Sequence, residues 1–235
     1  MAVTAKDATK QLKDACEDGR LEDVQRLAEV CGLTAEDVTY DTDYLYKSCW
    51  NGHLSVVQWL IVSYHLSAED LLYIGLLQHM FVYGQLEGAQ WLIKTFELTV
   101  EDVCAYDNES LRGACREGHL IAAQWLVREY AVTAEDLRVK HDIVVRTHAL
   151  SSACENGHLE VARWLAATFN LTTEDAHVLH ATNNWALRRA CLAGHLETVR
   201  WLIATFNLTV TDINAVSTSR YLPSADNICA PTYVR

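Results

Sequence analysis

The stretch "ACENGHLEVARWLAATFNLTTED", residues 153–175, gathers Cys154, His158, Trp164 and the acids Glu155, Glu160, Glu174 and Asp175. Such residue types can ligate zinc, carry out acid–base chemistry, or cap and face an amphipathic helix. A zinc site needs its ligands to converge on one point. General acid–base work needs paired groups in a shared cleft with displaced pKa values. The histidines of this type, His53, His119, His158 and His195, each follow a glycine and are strung along the chain, one per copy of a repeating pattern. His177 and His180 have H-x-x-H spacing with no cysteine at finger spacing. The chain has no G-x-S-x-G, no phosphate-cradling glycine loop and no isolated Cys/His arrangement. The sequence therefore points to no catalytic residue, no metal ligand and no cofactor, and to a protein that is not an enzyme. The Glu-Asp pairs read as helix capping and N-terminal charge.

The elements that hold these residues form a repeat. Gly19, Gly52, Gly84, Gly118, Gly157 and Gly194 lie 33, 32, 34, 39 and 37 residues apart. Each is followed two residues on by Leu21, Leu54, Leu86, Leu120, Leu159 or Leu196. Each is preceded seven residues earlier by Leu12, Leu45, Leu77, Leu111, Leu150 or Leu187. Three residues before the glycine stands a cysteine (Cys16, Cys49, Cys115, Cys154, Cys191), or Phe81 in the third copy. Seven after it stands a tryptophan (Trp59, Trp91, Trp125, Trp164, Trp201), or Arg26 in the first. Each copy reads as two helices. The first carries leucine and cysteine four apart on one face and ends at the glycine in a left-handed conformation. Thr9, Thr42, Asn108, Thr147 and Asn184 are its expected N-caps, Ile74 being the exception. In the second, Leu196, Val199, Leu202 and Ile203 form a stripe of 3.6-residue period, flanked by Trp201. After it comes "LTAED" or a variant, Thr or Ser with an acid three residues later. That is capping-box spacing with Asp in place of Glu or Gln, at an ordered turn or a third short helical turn. Helix pairs this short need stacked neighbours to bury a core.

The frame L-x-x-x-[CF]-x-x-G-[HRQ]-L at about 33 residues resembles the ankyrin repeat, whose "TPLHxAAxxGH" places leucine, small residue and glycine at the same offsets. The resemblance covers residues 9–212 and implies an all-α, ankyrin-like solenoid of about six helix-turn-helix repeats that binds protein partners. No copy opens with Thr-Pro, and "LTxED" replaces the usual hairpin tip, so helical connectors are expected instead of β-hairpins. The "GHLEVARWLAATFNLTTED" flavour is similar to ankyrin families of giant viruses and protists.

Bulk properties agree. Half of the 235 residues are apolar and 21% are charged, which suits a folded chain. The net charge of −12 argues against a nucleic-acid partner. No apolar run is long enough to span a membrane, and "MAVTAKDATKQLKD" has no signal-like core. Five of eight cysteines occupy one repeated position, where stacking at about 10 Å separates them beyond disulfide reach of about 7 Å. They are expected as reduced, buried thiols in a cytoplasmic or nuclear protein.

Residues 1–8 form a lead-in, 9–212 the array, and 213–235 a tail whose apolar residues suit it to cover the last copy. The polar first copy suits a solvent-facing cap. In a repeat array the positions that differ between copies are free for recognition. Those rich in Tyr, Trp, Arg and His are Tyr40, Tyr44, Tyr46, Trp50, Tyr73, His79, Tyr83, Tyr106, Arg116, Lys140, His141, Arg146, His148, His177, His180 and Trp185. They are the candidate partner-binding residues of a non-catalytic adaptor or scaffold. The alternatives are a host-directed adaptor or a structural virion component of a giant virus or intracellular microbe.

Overall fold

A computed structural model describes residues 5–130, 148–171 and 185–208. The chain divides into two compact units, residues 1–105 and 106–235. In the N-terminal unit the helices are α1 (Ala5–Glu17), α2 (Leu21–Cys31), α3 (Ala35–Tyr40), α4 (Asp43–Trp50), α5 (Leu54–Ser63), α6 (Ala68–Tyr73), α7 (Leu76–Val82), α8 (Leu86–Thr95) and α9 (Val100–Val103). In the C-terminal unit they are α10 (Ala105–Arg116, starting at the boundary), α11 (Leu120–Tyr130), α12 (His148–Glu155), α13 (Leu159–Thr168), α14 (Trp185–Ala193) and α15 (Leu196–Thr205). The described residues contain no strand, which agrees with the replacement of the usual hairpin tip.

The repeated leucines build the core. Leu12, Leu45, Leu77, Leu111, Leu150 and Leu187 are all buried, and so are Cys16, Cys49, Phe81, Cys115, Cys154 and Cys191 beside them. Each buried side chain of leucine size contributes about 1.5–3 kcal/mol relative to exposure. The first helices pack in register, α1 on α4, α4 on α7, and α12 on α14, and the second helices α2, α5, α8, α13 and α15 pack against their own first helices. Ser48 sits in the small-residue row and would be a buried unpaired hydroxyl. Instead it donates to Tyr44 O at 2.8 Å and reaches Cys16 O of the preceding copy at 3.2 Å.

Several boundaries differ from the sequence expectation. The first helix begins at Ala5, so Thr9 lies inside it and is no cap; no glycine or proline precedes it to stop the helix earlier. Thr42 occupies the cap position of α4, but its backbone is helical and its side chain makes no cap bond. Asn108 lies within α10, left-handed at φ 58°, after Tyr106 at φ 53°. Thr147 and Asn184 lie outside the described residues. On α15, Val199 and Leu202 are buried as the stripe requires, whereas Leu196 is 44% exposed at the first position of the helix.

The connector motif is a helix start. Asp37, Asp70 and Asp102 each accept the backbone N–H of Thr34, Ser67 and Thr99 at 2.8–2.9 Å, and donate their own N–H to that residue's hydroxyl at 3.1–3.3 Å. These reciprocal bonds satisfy two otherwise orphaned donors, so α3, α6 and α9 follow. Asp is long enough to close the box here.

Candidate functional site

The glycine-histidine pairs tie one copy to the next. His53 donates through Nε2 to Glu17 O at 2.9 Å, in the turn of the preceding copy. A carbonyl only accepts, so Nε2 carries the proton. Gly19, left-handed at φ 71°, leaves the room for that ring: a Cβ there would lie under 3.0 Å from it. Gly118 stands in the same relation to His158, and Gly157 to His195. His158 hydrogen-bonds the Arg116 backbone, and its burial holds it below the ordinary histidine value. His53 and His158 thus bridge adjacent copies. Among the described residues no three His, Cys, Asp or Glu side chains gather to hold a metal ion. His177 and His180 lie outside them.

Cys16, Cys31, Cys49, Cys115, Cys154 and Cys191 are free thiols. Burial pushes Cys16 and Cys191 up to about 11 and Cys49 up to about 12, and raises Cys115 and Cys154 as well. Thiols so disposed are neutral and inert. A cavity of ≈ 50 Å³ lies between the second and third copies, lined by Ser48, Cys49, Met80, Gln85 and Gly88 among others. It exists because Gly88 stands where other copies have Val56, Ala122, Val161 and Thr198. It has room for a few water molecules and not for a metabolite.

Of the candidate partner-binding residues, four come together. On the outward side of α4 and α7, Tyr46 stacks on His79 with ring centroids 4.0 Å apart. Trp50 stacks on Tyr83 at 5.5 Å and an interplanar angle of 2°. His79 links the two pairs, 5.9 Å from Tyr83. Trp50 is 66% exposed. The Tyr46 hydroxyl donates to Ile74 O, fixing that ring between the copies, and burial raises its pKa. Beneath this layer the core is already filled by Leu45, Cys49, Leu77 and Phe81.

The remaining candidates scatter. Tyr40 and Tyr73 end α3 and α6 at equivalent positions, 91% and 88% exposed. Tyr40 and Tyr73 each stand six residues after the capping Thr34 or Ser67, the sequence signal that this pair belongs to the repeat. Tyr106, in the C-terminal unit, is 66% exposed. Tyr44 is a correction: it is buried, 3% exposed, with the Lys13 ammonium 5.4 Å from its ring centroid. Burial pushes its hydroxyl up to about 12. Four of the five equivalent positions, Leu76, Ser110, Ala149 and Ala186, are buried, and Gln11 of the first copy is exposed, so comparison between most copies marks this as an inward site. Arg116 is held by Glu109 and Glu117 at 3.1 and 3.0 Å. His148 and Trp185 begin α12 and α14. Lys140, His141, Arg146, His177 and His180 lie outside the described residues.

Acids gather along α1 and the start of α4, a feature with no motif to announce it. Glu17 pairs with Lys47, which also feels Asp43 and Asp14. Lys13 is held by Asp41 at 2.6 Å and Asp43 at 3.0 Å. Two ammonium groups therefore meet four carboxylates. Residues 1–105 hold 7 Lys or Arg against 17 Asp or Glu, and residues 106–235 hold 12 against 14. Nearly all of the chain's negative charge belongs to the first unit.

Paired helices with a left-handed glycine between them, bound to their neighbours through buried small residues and turn histidines, define a helical-repeat protein. Residues 111–214, the fourth to sixth copies, match the family model described as ankyrin repeats in three copies, which supports an ankyrin-repeat assignment for that part of the chain. The first three copies have the same helix–glycine–helix unit. Comparison with curated proteins returns no match. Ankyrin repeats are in general protein–protein interaction modules and typically non-catalytic. No helix among the described residues is long and apolar enough to cross a membrane.

Proposed function

We propose that this chain is a non-catalytic adaptor or scaffold that binds a protein partner through the outward face of α4 and α7. The observation that carries the reading is the stacked aromatic layer Tyr46–His79–Tyr83–Trp50, three half-buried rings ending in an exposed tryptophan, which the repeat does not require. The other copies place Glu17, Val82, Arg116, Glu155 or Leu192 where Trp50 stands. Aromatic side chains offer much contact area at small entropic cost and dominate binding hot spots. The buried, neutral thiols suit a reducing compartment, the cytoplasm or nucleus. The test is affinity purification from the native source with the wild type, a Trp50→Ala/Tyr83→Ala variant and an Arg116→Ala control. The aromatic variant is expected to lose the partner that the control keeps. A partner retained by both removes this face from consideration. Tyr44 is left intact because its loss would disturb the core.

A further inference from the structure

We propose that the segment recognised by this face is basic and presents arginine, whose guanidinium lies flat on the exposed Trp50 ring while the carboxylates of α1 and α4 favour its charge. This rests on the reading of α4 and α7 as the docking face. Three observations favour a guanidinium over an apolar anchor. First, Trp50 is 66% exposed and lies parallel to Tyr83, within 2° at 5.5 Å. Tyr83 backs the indole, and a planar cation is the shape that the solvent-facing side of a held flat ring accepts. Second, Lys47 lies one helical turn from Trp50 and is already occupied by Glu17, with Asp14 and Asp43 close by. Lys13 is likewise occupied by Asp41 and Asp43. The local acids outnumber the cations that they hold, and a cationic ligand completes the pairing. Third, the excess is general to this unit, at 17 acids against 7 bases in residues 1–105, so the field steers basic segments toward it and repels acidic ones. Arginine is favoured over lysine because its guanidinium is weakly hydrated and stacks on aromatic faces, while forking to carboxylates at its edge.

The experiment uses the full chain and synthetic ten-residue peptides in which Gly and Ser alternate with arginine, with lysine or with glutamate, each titrated calorimetrically at low and at physiological salt. Binding of the arginine peptide is expected, several-fold tighter than the lysine peptide, with no binding of the glutamate peptide and weakening on added salt. Trp50→Ala should reduce arginine-peptide affinity about tenfold. Trp50→Leu keeps an apolar side chain on the exposed site without a π-face and should reduce it nearly as far. Thermal melts of both variants verify the fold. Equal affinity of wild type and Trp50→Leu, or equal binding of the arginine and glutamate peptides, overturns the proposal. A native partner that is lost on Trp50→Ala/Tyr83→Ala but docks through a segment without arginine overturns this inference and leaves the docking face standing.

Discussion

The two units use one repeat to make two different surfaces. In residues 1–105 the first helices present stacked rings and surplus acids. In residues 106–235 the equivalent face carries arginines tied to glutamates: Arg112 and Arg116 to Glu109, and Arg189 to Glu155. Partly exposed pairs of this kind contribute little and leave few strong donors unclaimed. Trp50 is the opposite case, an aromatic ring backed by Tyr83 and still two-thirds exposed to water. The repeated leucine, glycine and histidine answer to the fold in both units. What differs between the units is the layer outside that frame, and function belongs there.

The sharpest test of this equivalence is at the core. Phe81 and Leu165 are both buried, in the N- and C-terminal units respectively. Phe81→Ala is expected to cost about 3–5 kcal/mol and Leu165→Ala about 2–5 kcal/mol, from lost transfer energy plus the cavity left behind. Chemical denaturation measures both. A cost below about 1 kcal/mol in either unit would show that its core is loosely packed and that the two are not comparable. Next come the glycines. Gly118 and Gly194 are both left-handed, at φ 84° and 81°. The His158 ring fills the space beside Gly118, whereas no described atom lies within 4 Å of a Cβ at Gly194. Gly194→Ala should cost roughly 1–2 kcal/mol of backbone strain. Gly118→Ala should cost about 1–2 kcal/mol more, because the ring must leave and surrender its hydrogen bond. Equal losses at the two sites would refute the spacing role of Gly118.

Much of this frame was legible in the sequence because it is written six times. Recurrence identified the buried leucines and cysteines, the left-handed glycines and the capping boxes without any structural information. Where a single copy had to speak for itself, the reading slipped. Tyr44 looked like a surface aromatic because aromatic residues are common in interfaces, and its equivalents are mixed in type, Leu76, Ala149 and Ala186 being apolar and buried, Ser110 polar and buried, and Gln11 exposed. Thr9 looked like a cap because the next copies carry Thr or Asn there, but nothing before it interrupts the helix. The aromatic layer was only half visible. Tyr46, Trp50, His79 and Tyr83 could be named as variable residues, while their mutual stacking depends on how α4 packs against α7. Spacing along one strand of sequence does not encode that register.

The caps give a smaller and pH-dependent contrast. Ser67→Ala is expected to destabilise the N-terminal unit by about 1 kcal/mol, since an N-cap hydroxyl and its reciprocal bond are lost together. Hydrogen bonds from the Thr34 and Ser67 hydroxyls, followed by their backbone N–H groups, hold Asp37 and Asp70 below the ordinary carboxylate value of 3.8. The unfolded chain therefore binds protons more readily, and this stabilisation is complete above pH 3.8 and fades as the pH falls through the lower folded values. In the C-terminal unit, burial holds His158 below its ordinary 6.5. The sign is the same but the loss begins earlier, on acidification below 6.5. Melting curves from pH 7 to pH 3 should show a decline in two stages, the first removed by His158→Gln and the second reduced by Ser67→Ala with Thr34→Ala. A single stage unaffected by His158→Gln would separate that histidine from the acid response.

The smallest effect concerns how the second helices end. In the first copy the left-handed residue after α2 is Gly32, at φ 63°. After α5 and α8 it is His65 and Glu97, at φ 51° and 50°. After α13 and α15 it is Asn170 and Asn207, at 46° and 48°. The geometry is shared: Leu66, Leu98, Leu171 and Leu208 each send an N–H back to Ile61, Ile93, Ala166 and Ile203, closing the helix end. Only the side chain differs, and asparagine accepts this conformation far better than glutamate. The C-terminal unit thus carries suitable residues where the N-terminal unit carries strained ones. His65→Asn and Glu97→Asn should each stabilise the first unit by about 0.5–1 kcal/mol, and Asn207→Glu should cost the second a similar amount. Because Glu97 is exposed and away from α4 and α7, the gain should leave peptide binding unchanged. If Glu97→Asn brings no gain while Asn207→Glu brings a loss, the two helix ends are not equivalent, and the glutamate has a compensating contact that asparagine cannot replace.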